Sequence, residues 1–576
     1  MSRSMSECIN RLVVFQCHDL GGQLADVFPQ DIKRGHIFED IKVGLMITAV
    51  MCKMSESPEL ELQSRLGGDG EGELDEIKVD ETNAETRNKS VEDRDGEGNG
   101  GSFCPFFRRV PLNEAVEELF ALGKVACPVA LTTLLYFSKT IISMLFLGHM
   151  DKAELAGGSL AVGFANVTGF SVMKGLCTGM DPICCQAFGA RRWPVLSQTY
   201  IKTVILLLIA TIPMALLWLN VEPVFHRLGQ DRVISKIAKS YLVISLPELL
   251  THANLIPLRT FLRTQGLNSP NTIIATCVSA LHLPITYFLV TYLNLRVKGI
   301  ALSSVIYSLN MNIGLWIYLI FSKAAIKPWV GATLGSVIHG WKPLLGLALP
   351  SVCQVCLEWW WYEIILFLSG LLPNPESCVA AMGILIQTTG TVYVFPFSLG
   401  LSISQRVGHE LGAAHPARAQ LAAMIGILIA VGYGISVFGL SVVLRSLWGK
   451  LYTTETQVLD LISSVLPIVG LAEIGNAPQT AACGGLTGSA RPKVGVRINI
   501  AAFYLVGLPC SAVFAFKLKQ GFQGLWMGLV AAQAACMSMM LYTLARTDWK
   551  HEAKRAEELT TAVGEKDDSA GTNLVA

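Results

Sequence analysis

The chain has 576 residues, 52% of them hydrophobic and only 15% charged, a balance too apolar for an ordinary soluble protein of this length. A net charge of +1 provides no basic field of the kind that binds nucleic acid. The cysteines are scattered through apolar runs and read as small packing residues, not as a disulfide framework.

Residues 1–107 differ from everything after them. Glu56 to Gly101 is dense in Glu, Asp, Gly, Ser and Asn and nearly free of aromatics, which predicts a disordered acidic tail. An apolar run from Val43 to Met51 is about half a bilayer span and lacks signal-peptide flanks. Met51 or Met54 is a candidate start, with the preceding segment a gene-model artefact.

From Leu122 onward, apolar stretches of bilayer length recur at 122–147, 158–183, 201–219, 238–262, 271–294, 299–322, 344–370, 379–405, 419–444, 457–483, 495–516 and 522–545. Twelve spans put both tails on one side. The loops on that side carry Arg191, Arg192, Arg259, Arg263, Lys323, Lys327, Lys342, Arg406, Arg418, Arg491, Lys493 and Arg497, and the opposite loops nearly as many. Arg108, Arg109 and Lys124 before the first span, with Arg546, Lys550, Lys554 and Arg555 after the last, tip both tails to the cytoplasm.

Punctuating residues repeat at a nearly fixed offset. Pro128 and Gly148 recur as Pro350 and Gly370, Gly266 and Pro270 as Gly488 and Pro492, Gly189-Ala190 as Gly412-Ala413, and Pro284 and Gly299 as Pro509 and Gly524, at offsets of 222 to 225. Because six is even, both copies enter the membrane in the same sense. The expected architecture is an all-α polytopic membrane protein with two pseudo-symmetric six-helix lobes, 108–325 and 326–546, followed by a cytoplasmic tail, 547–576.

Four carboxylates lie well inside the spans: Glu248, Glu358, Glu363 and Glu473. An ionised carboxylate in hydrocarbon costs roughly 2.5–3.5 kcal/mol even on lenient scales, so each must face protein or water, where it can exchange a proton, hold a cation or serve packing alone. Glu358 and Glu363 are five residues apart, about 140° around a helix, and cannot point at one spot. Between them stand Trp359, Trp360, Trp361 and Tyr362, able to hold a cationic or flat aromatic ligand or simply to anchor the helix. Gly475 and Pro478 follow Glu473 and, with Pro350 and Pro396, are candidate helix-break or gating positions. Lys139 and Lys174 are intramembrane cations, either ion-paired in the first lobe or lining a polar cavity. His282 reads as a hydrogen-bonded core histidine ahead of a proton relay, and Asp181 as a gate contact or a solvated helix end. Cys353 and Cys356 share one helix face without a second pair or nearby histidine, so metal or redox chemistry is not expected. Without a phosphate-cradling G-x-x-x-x-G-K-[ST], energy should come from an ion gradient.

At these residues the chain resembles the multidrug and toxic compound extrusion family, and within it the plant detoxification transporters. The resemblance spans roughly 110–545 and rests on several motifs. These are Gln186-Ala187-Phe188-Gly189-Ala190, Leu357-Glu358-Trp359-Trp360 with Tyr362-Glu363, Arg406-Val407-Gly408 with Glu410-Leu411-Gly412-Ala413, and Ala472-Glu473. It implies alternating access between two lobes, proton or sodium antiport, and organic substrates. It also implies that Glu358, Glu363 and Glu473 are the functional carboxylates. The sequence departs from the family in four places. Ser138-Lys139-Thr140 replaces the first-helix aspartate of bacterial relatives, and Gln387 stands where some animal relatives have glutamate. Thr487 replaces an expected arginine, and Cys185 interrupts the usual Cys-Gly before Gln186.

The leading expectation is a proton-coupled antiporter exporting small organic compounds from a plasma, vacuolar or endosomal membrane, with protons favoured over sodium and a monomer as the transport unit. A membrane sensor acting through its tails and a flippase for lipid-linked molecules are the alternatives. No enzyme activity and no cofactor are expected.

Overall fold

A computed structural model describes residues 111–227, 229–330 and 334–564. The acidic tail with its 43–51 run and the last twelve residues, 565–576, lie outside the described residues.

Without water in the bilayer core, each backbone amide must be satisfied inside its own segment, so long apolar runs fold as helices. Those of the first repeat are α1 (Leu112–Gly148), α2 (Lys152–Gly189), α3 (Trp193–Leu219), α4 (Arg232–Ile244 and Leu246–Thr264), α5 (Ser269–Tyr292) and α6 (Val297–Phe321). The second repeat supplies α7 (Lys342–Ser369), α8 (Pro375–Gly412), α9 (Pro416–Leu444), α10 (Thr456–Gly488), α11 (Pro492–Lys517) and α12 (Gly521–Ala545). A further helix, α13 (Trp549–Gly564), follows in the segment expected to be a tail.

Among the described residues, eleven helices are long and apolar enough to cross a membrane by length and composition. The exception is α4, which breaks at Ser245 and carries Glu248, Arg259 and Arg263. Arg259 and Arg263, counted above with the loops, therefore belong to its last turns. Helices α1, α2 and α8 run well past the apolar stretches that define their spans, so Glu118, Arg406 and Glu410 are helical too.

The repeat is visible in the backbone. Left-handed residues close equivalent turns 223 positions apart: Arg191 (φ 57°) and Ala414 (φ 60°), Arg296 (φ 50°) and Lys519 (φ 55°). Each lobe has its own core, the first around Trp218, Phe225 and Phe261, the second around Trp361, Phe503 and Trp526. The first helix of each repeat crosses over: Leu122 of α1 joins the second core, and Leu344 of α7, 222 residues later, joins the first. In the second lobe α10 lies between α8, α9 and α12. Small residues let these backbones approach, as at Gly475, where a Cβ would meet the Gln533 backbone at 3.0 Å. Pro350, Pro396, Gly475 and Pro478 all sit inside unbroken helices in this structure.

Candidate functional site

The face of α10 below Glu473 carries polar residues one turn apart, and they form a chain. Glu473 is 1% exposed and accepts from the Asn476 amide at 3.0 Å on each carboxylate oxygen. Asn476 Oδ1 in turn accepts from Gln479 at 3.3 Å, and Gln479 Oε1 accepts from Cys536 of α12 at 3.2 Å. The neighbouring Thr480 hydroxyl meets Tyr393 of α8, and Tyr393 hydrogen-bonds Glu358 of α7. Glu358 and Glu473 thus belong to one network spanning four helices, α7, α8, α10 and α12, and beside it the Gln354 amide of α7 donates to Cys483 of α10 at 2.8 Å.

The other expected residues divide. Tyr362 is half-buried within electrostatic reach of both acids, and Trp361 is packed in the core against Tyr362 and Phe503. Trp359 and Trp360 are exposed, and Trp359 lies 5.2 Å beneath the Lys174 ammonium. Glu363 is exposed and joins no described hydrogen bond. Gln387 is half-buried on α8, and among the described residues no hydrogen bond links its side chain to either acid.

Glu248, in the first lobe, has a different environment. It is buried 2.5 Å from Lys139 Nζ and accepts from the Ser308 hydroxyl at 3.2 Å. Lys139, in the segment that lacks the first-helix aspartate of bacterial relatives, therefore neutralises this acid within its own lobe. Lys174 has no such partner among the described residues: its ammonium sits 4.2 Å from the Phe397 ring of α8, between the lobes, and its charge acts on Glu358. His282 packs edge-on against Tyr307, and among the described residues neither ring nitrogen has a hydrogen-bond partner, unlike the bonded core histidine expected.

Inter-lobe bonds gather at one end, where the chain enters α1 and leaves α12, called here the terminal end. Here α2 meets α8 along the pseudo-symmetry axis, pairing residues 223 apart: Lys174 with Phe397, Asp181 with Ser404 at 2.7 Å, and Cys185 with Gly408. The Ser404 bond places Asp181 in a contact between the lobes, and its burial and its ion pair with Arg263 of its own lobe show that it is not a solvated helix end. Gly189 lies against the His409 carbonyl and Gly412 against the Gln186 carbonyl, contacts that leave no room for a Cβ on either glycine. Cys185 is accommodated because Gly408 opposite carries no side chain. Arg406 ties this end to α1 through Glu118, at 2.8 and 2.9 Å.

A family model described as MatE matches twice, at residues 128–288 and 350–513, once per repeat. The chain belongs to the MatE family. Protein DETOXIFICATION 53 of Arabidopsis thaliana is 56% identical to it, over 79% of this chain and 93% of that protein. Protein DETOXIFICATION 48 of the same plant is 48% identical over 78% and 84% of the two chains. The eukaryotic MATE transporter AtDTX14 superimposes with a TM-score of 0.73 at 30% identity, covering 78% of this chain and 100% of that one. An outward-facing multidrug resistance MATE family transporter shares the fold, with a TM-score of 0.68 at 14% identity over 79% of this chain and all of its own. The MatE chain is accordingly an integral, multi-pass transporter whose twelve helices form two lobes.

Sequence reading missed Tyr393, Asn476 and Gln479 in this MatE site, although Asn476 and Gln479 follow Glu473 at the three-residue spacing of one helix face. It also missed the Asp181–Arg263 pair, which no local spacing announces, since 82 residues separate the partners.

Proposed function

We propose that the chain is a proton-coupled antiporter that exports small organic compounds by alternating access, acting as a monomer. The observation that carries this reading is Glu473, buried and held, among the described residues, by a single amide and no cation. An acid in that setting is neutralised by a proton or by an incoming cationic group, and competition between the two is the chemistry antiport requires. Glu358 extends the site toward Lys174 and Trp359, where a flat or cationic organic molecule would meet aromatic faces. Sodium is the less favoured coupling ion. The names of the detoxification relatives favour xenobiotics as the substrate class, ahead of secondary metabolites or hormones.

In this mechanism the terminal end is cytoplasmic and closed. The α2–α8 contacts at Asp181, Gly189 and Gly412 must part for substrate to enter from the cytoplasm, then re-form as protons displace it on the other side. Purified protein in proteoliposomes should move a labelled organic cation when a pH gradient is imposed, and not when the gradient is collapsed. Flux that ignores the gradient overturns the proton reading. Cysteine labelling in sealed vesicles should find both tails on the cytoplasmic side; an external C-terminus overturns the orientation.

A further inference from the structure

At the terminal end, the start of α7, the turn between α10 and α11, and α13 enclose a cleft of about 570 Å³. Lys342, Arg491, Lys493, Arg497 and Arg555 line it, and no carboxylate is among its described lining residues. Behind the wall, Glu552 pairs with Arg491 at 3.5 Å and with Arg555 at 3.1 Å, so one acid already serves two guanidinium groups. Among the described residues, Lys342, Lys493 and Arg497 join no ion pair. Lys493 and Arg497 are four apart and project from one face of the first turns of α11. Like charges so gathered repel unless an anion joins them.

The cleft also has an apolar floor, Pro343, Leu347 and Leu559, and sits where α7 and α11 begin their passage through the bilayer. A free anion would need the cations alone; a headgroup attached to an acyl chain uses the floor as well. One wall, α13, reaches from the second core, which holds its Trp549 and Ala556, to the first, which holds its Val563.

We propose that this cleft binds the phosphorylated headgroup of an anionic membrane lipid. The terminal end's cytoplasmic orientation, on which this rests, places the cleft beside the leaflet that carries such lipids. The bound phosphate is shared between α11 and α13, and so reinforces the docking of α13 across both lobes.

The test uses the purified full-length chain in detergent, where binding is read irrespective of orientation and transport, so either reading can fail alone. Dioctanoyl phosphatidylinositol 4-phosphate should bind saturably, as counted by native mass spectrometry, while dioctanoyl phosphatidylcholine does not. Each basic residue removed should weaken binding about fivefold, so Lys493→Ala/Arg497→Ala should lose on the order of 20-fold. The paired control Lys550→Ala/Lys554→Ala, exposed on α13 outside the cleft lining, should retain binding. A thermal midpoint for each variant matching the parent's excludes misfolding as the cause. Equal binding of phosphatidylcholine, equal loss in the control pair, or displacement by an equal concentration of inorganic phosphate overturns the proposal.

Discussion

In the first lobe, Glu248 touches a lysine ammonium at 2.5 Å; in the second, Glu473 is equally enclosed and touches only an amide. The two acids are 225 residues apart, within the spacing of the repeat, and both belong to the fourth helix of their lobe. Their cation partners do not repeat. The position 222 residues after Lys139 is Trp361, an indole packed in the second core. The repeated arrangement thus carries a neutral ion pair on one side and an acid dependent on hydrogen bonds on the other. Ion pairing fixes the charge of Glu248, since releasing a proton or accepting one breaks a buried pair; no such contact fixes Glu473. If the second lobe is where protons exchange, the first supplies structure, and the two acids should respond to the same substitution in different currencies.

The largest expected effect is in the second lobe. Glu473→Gln and Glu358→Gln keep volume and most hydrogen bonding but cannot change charge. Each should abolish pH-driven efflux in proteoliposomes, a loss of at least about tenfold as expected for removing a coupling of 1–3 kcal/mol, while the protein still reaches the membrane. Should both variants transport as well as the parent across a pH gradient, the acids are structural and the contrast between the lobes has another origin.

The second lobe's acids were legible from sequence because an embedded carboxylate is rare and each stands out in an apolar run. The fold was legible for a related reason: span length and the 222 to 225 offset are one-dimensional signals, and the left-handed turns at Arg191 and Ala414 show the offset surviving in three dimensions. What the sequence hid was pairing. Glu248 and Glu473 look alike along the chain, and only the folded structure reveals that the Lys139 side chain, 109 residues before Glu248, closes one of them. Arg263 was hidden by arithmetic of the same kind, because a cation at the edge of an apolar run reads as a loop residue until its buried partner is known. The helix α13 escaped notice because its apolar residues, Trp549, Ala556 and Val563, are too few to mark a span and matter only through the lobes they meet.

A smaller effect, and a different kind of effect, is expected at Glu248. Glu248→Gln leaves the Lys139 ammonium partly buried without its partner, a defect worth about 3 kcal/mol when one member of a buried pair is removed. The thermal midpoint in detergent should fall, and Lys139→Met in the same chain should restore much of it, because removing both charges of a buried pair is often close to neutral. The surviving folded protein should keep its response to the pH gradient. Loss of that response at unchanged stability would move proton exchange into the first lobe.

The smallest effect is expected at Glu363, the acid that the family resemblance ranks with the other two. Its place on α7, five residues beyond Glu358, turns it about 140° away from the network. It is exposed and joins no described hydrogen bond, so the neutral form costs no partner and the charged form has none to lose. Glu363→Gln should therefore reduce gradient-driven flux less than Glu358→Gln does, and should leave the thermal midpoint in place. Its influence would be exerted on the approach of a cationic substrate, through long-range attraction that added salt screens. The measurable signature is a higher half-saturating substrate concentration at an unchanged maximal rate, with the difference between parent and variant shrinking as ionic strength rises. A collapse of the maximal rate as deep as that of Glu473→Gln would instead place Glu363 inside the coupling step, and the division would then lie between α4 and the whole of α7 with α10.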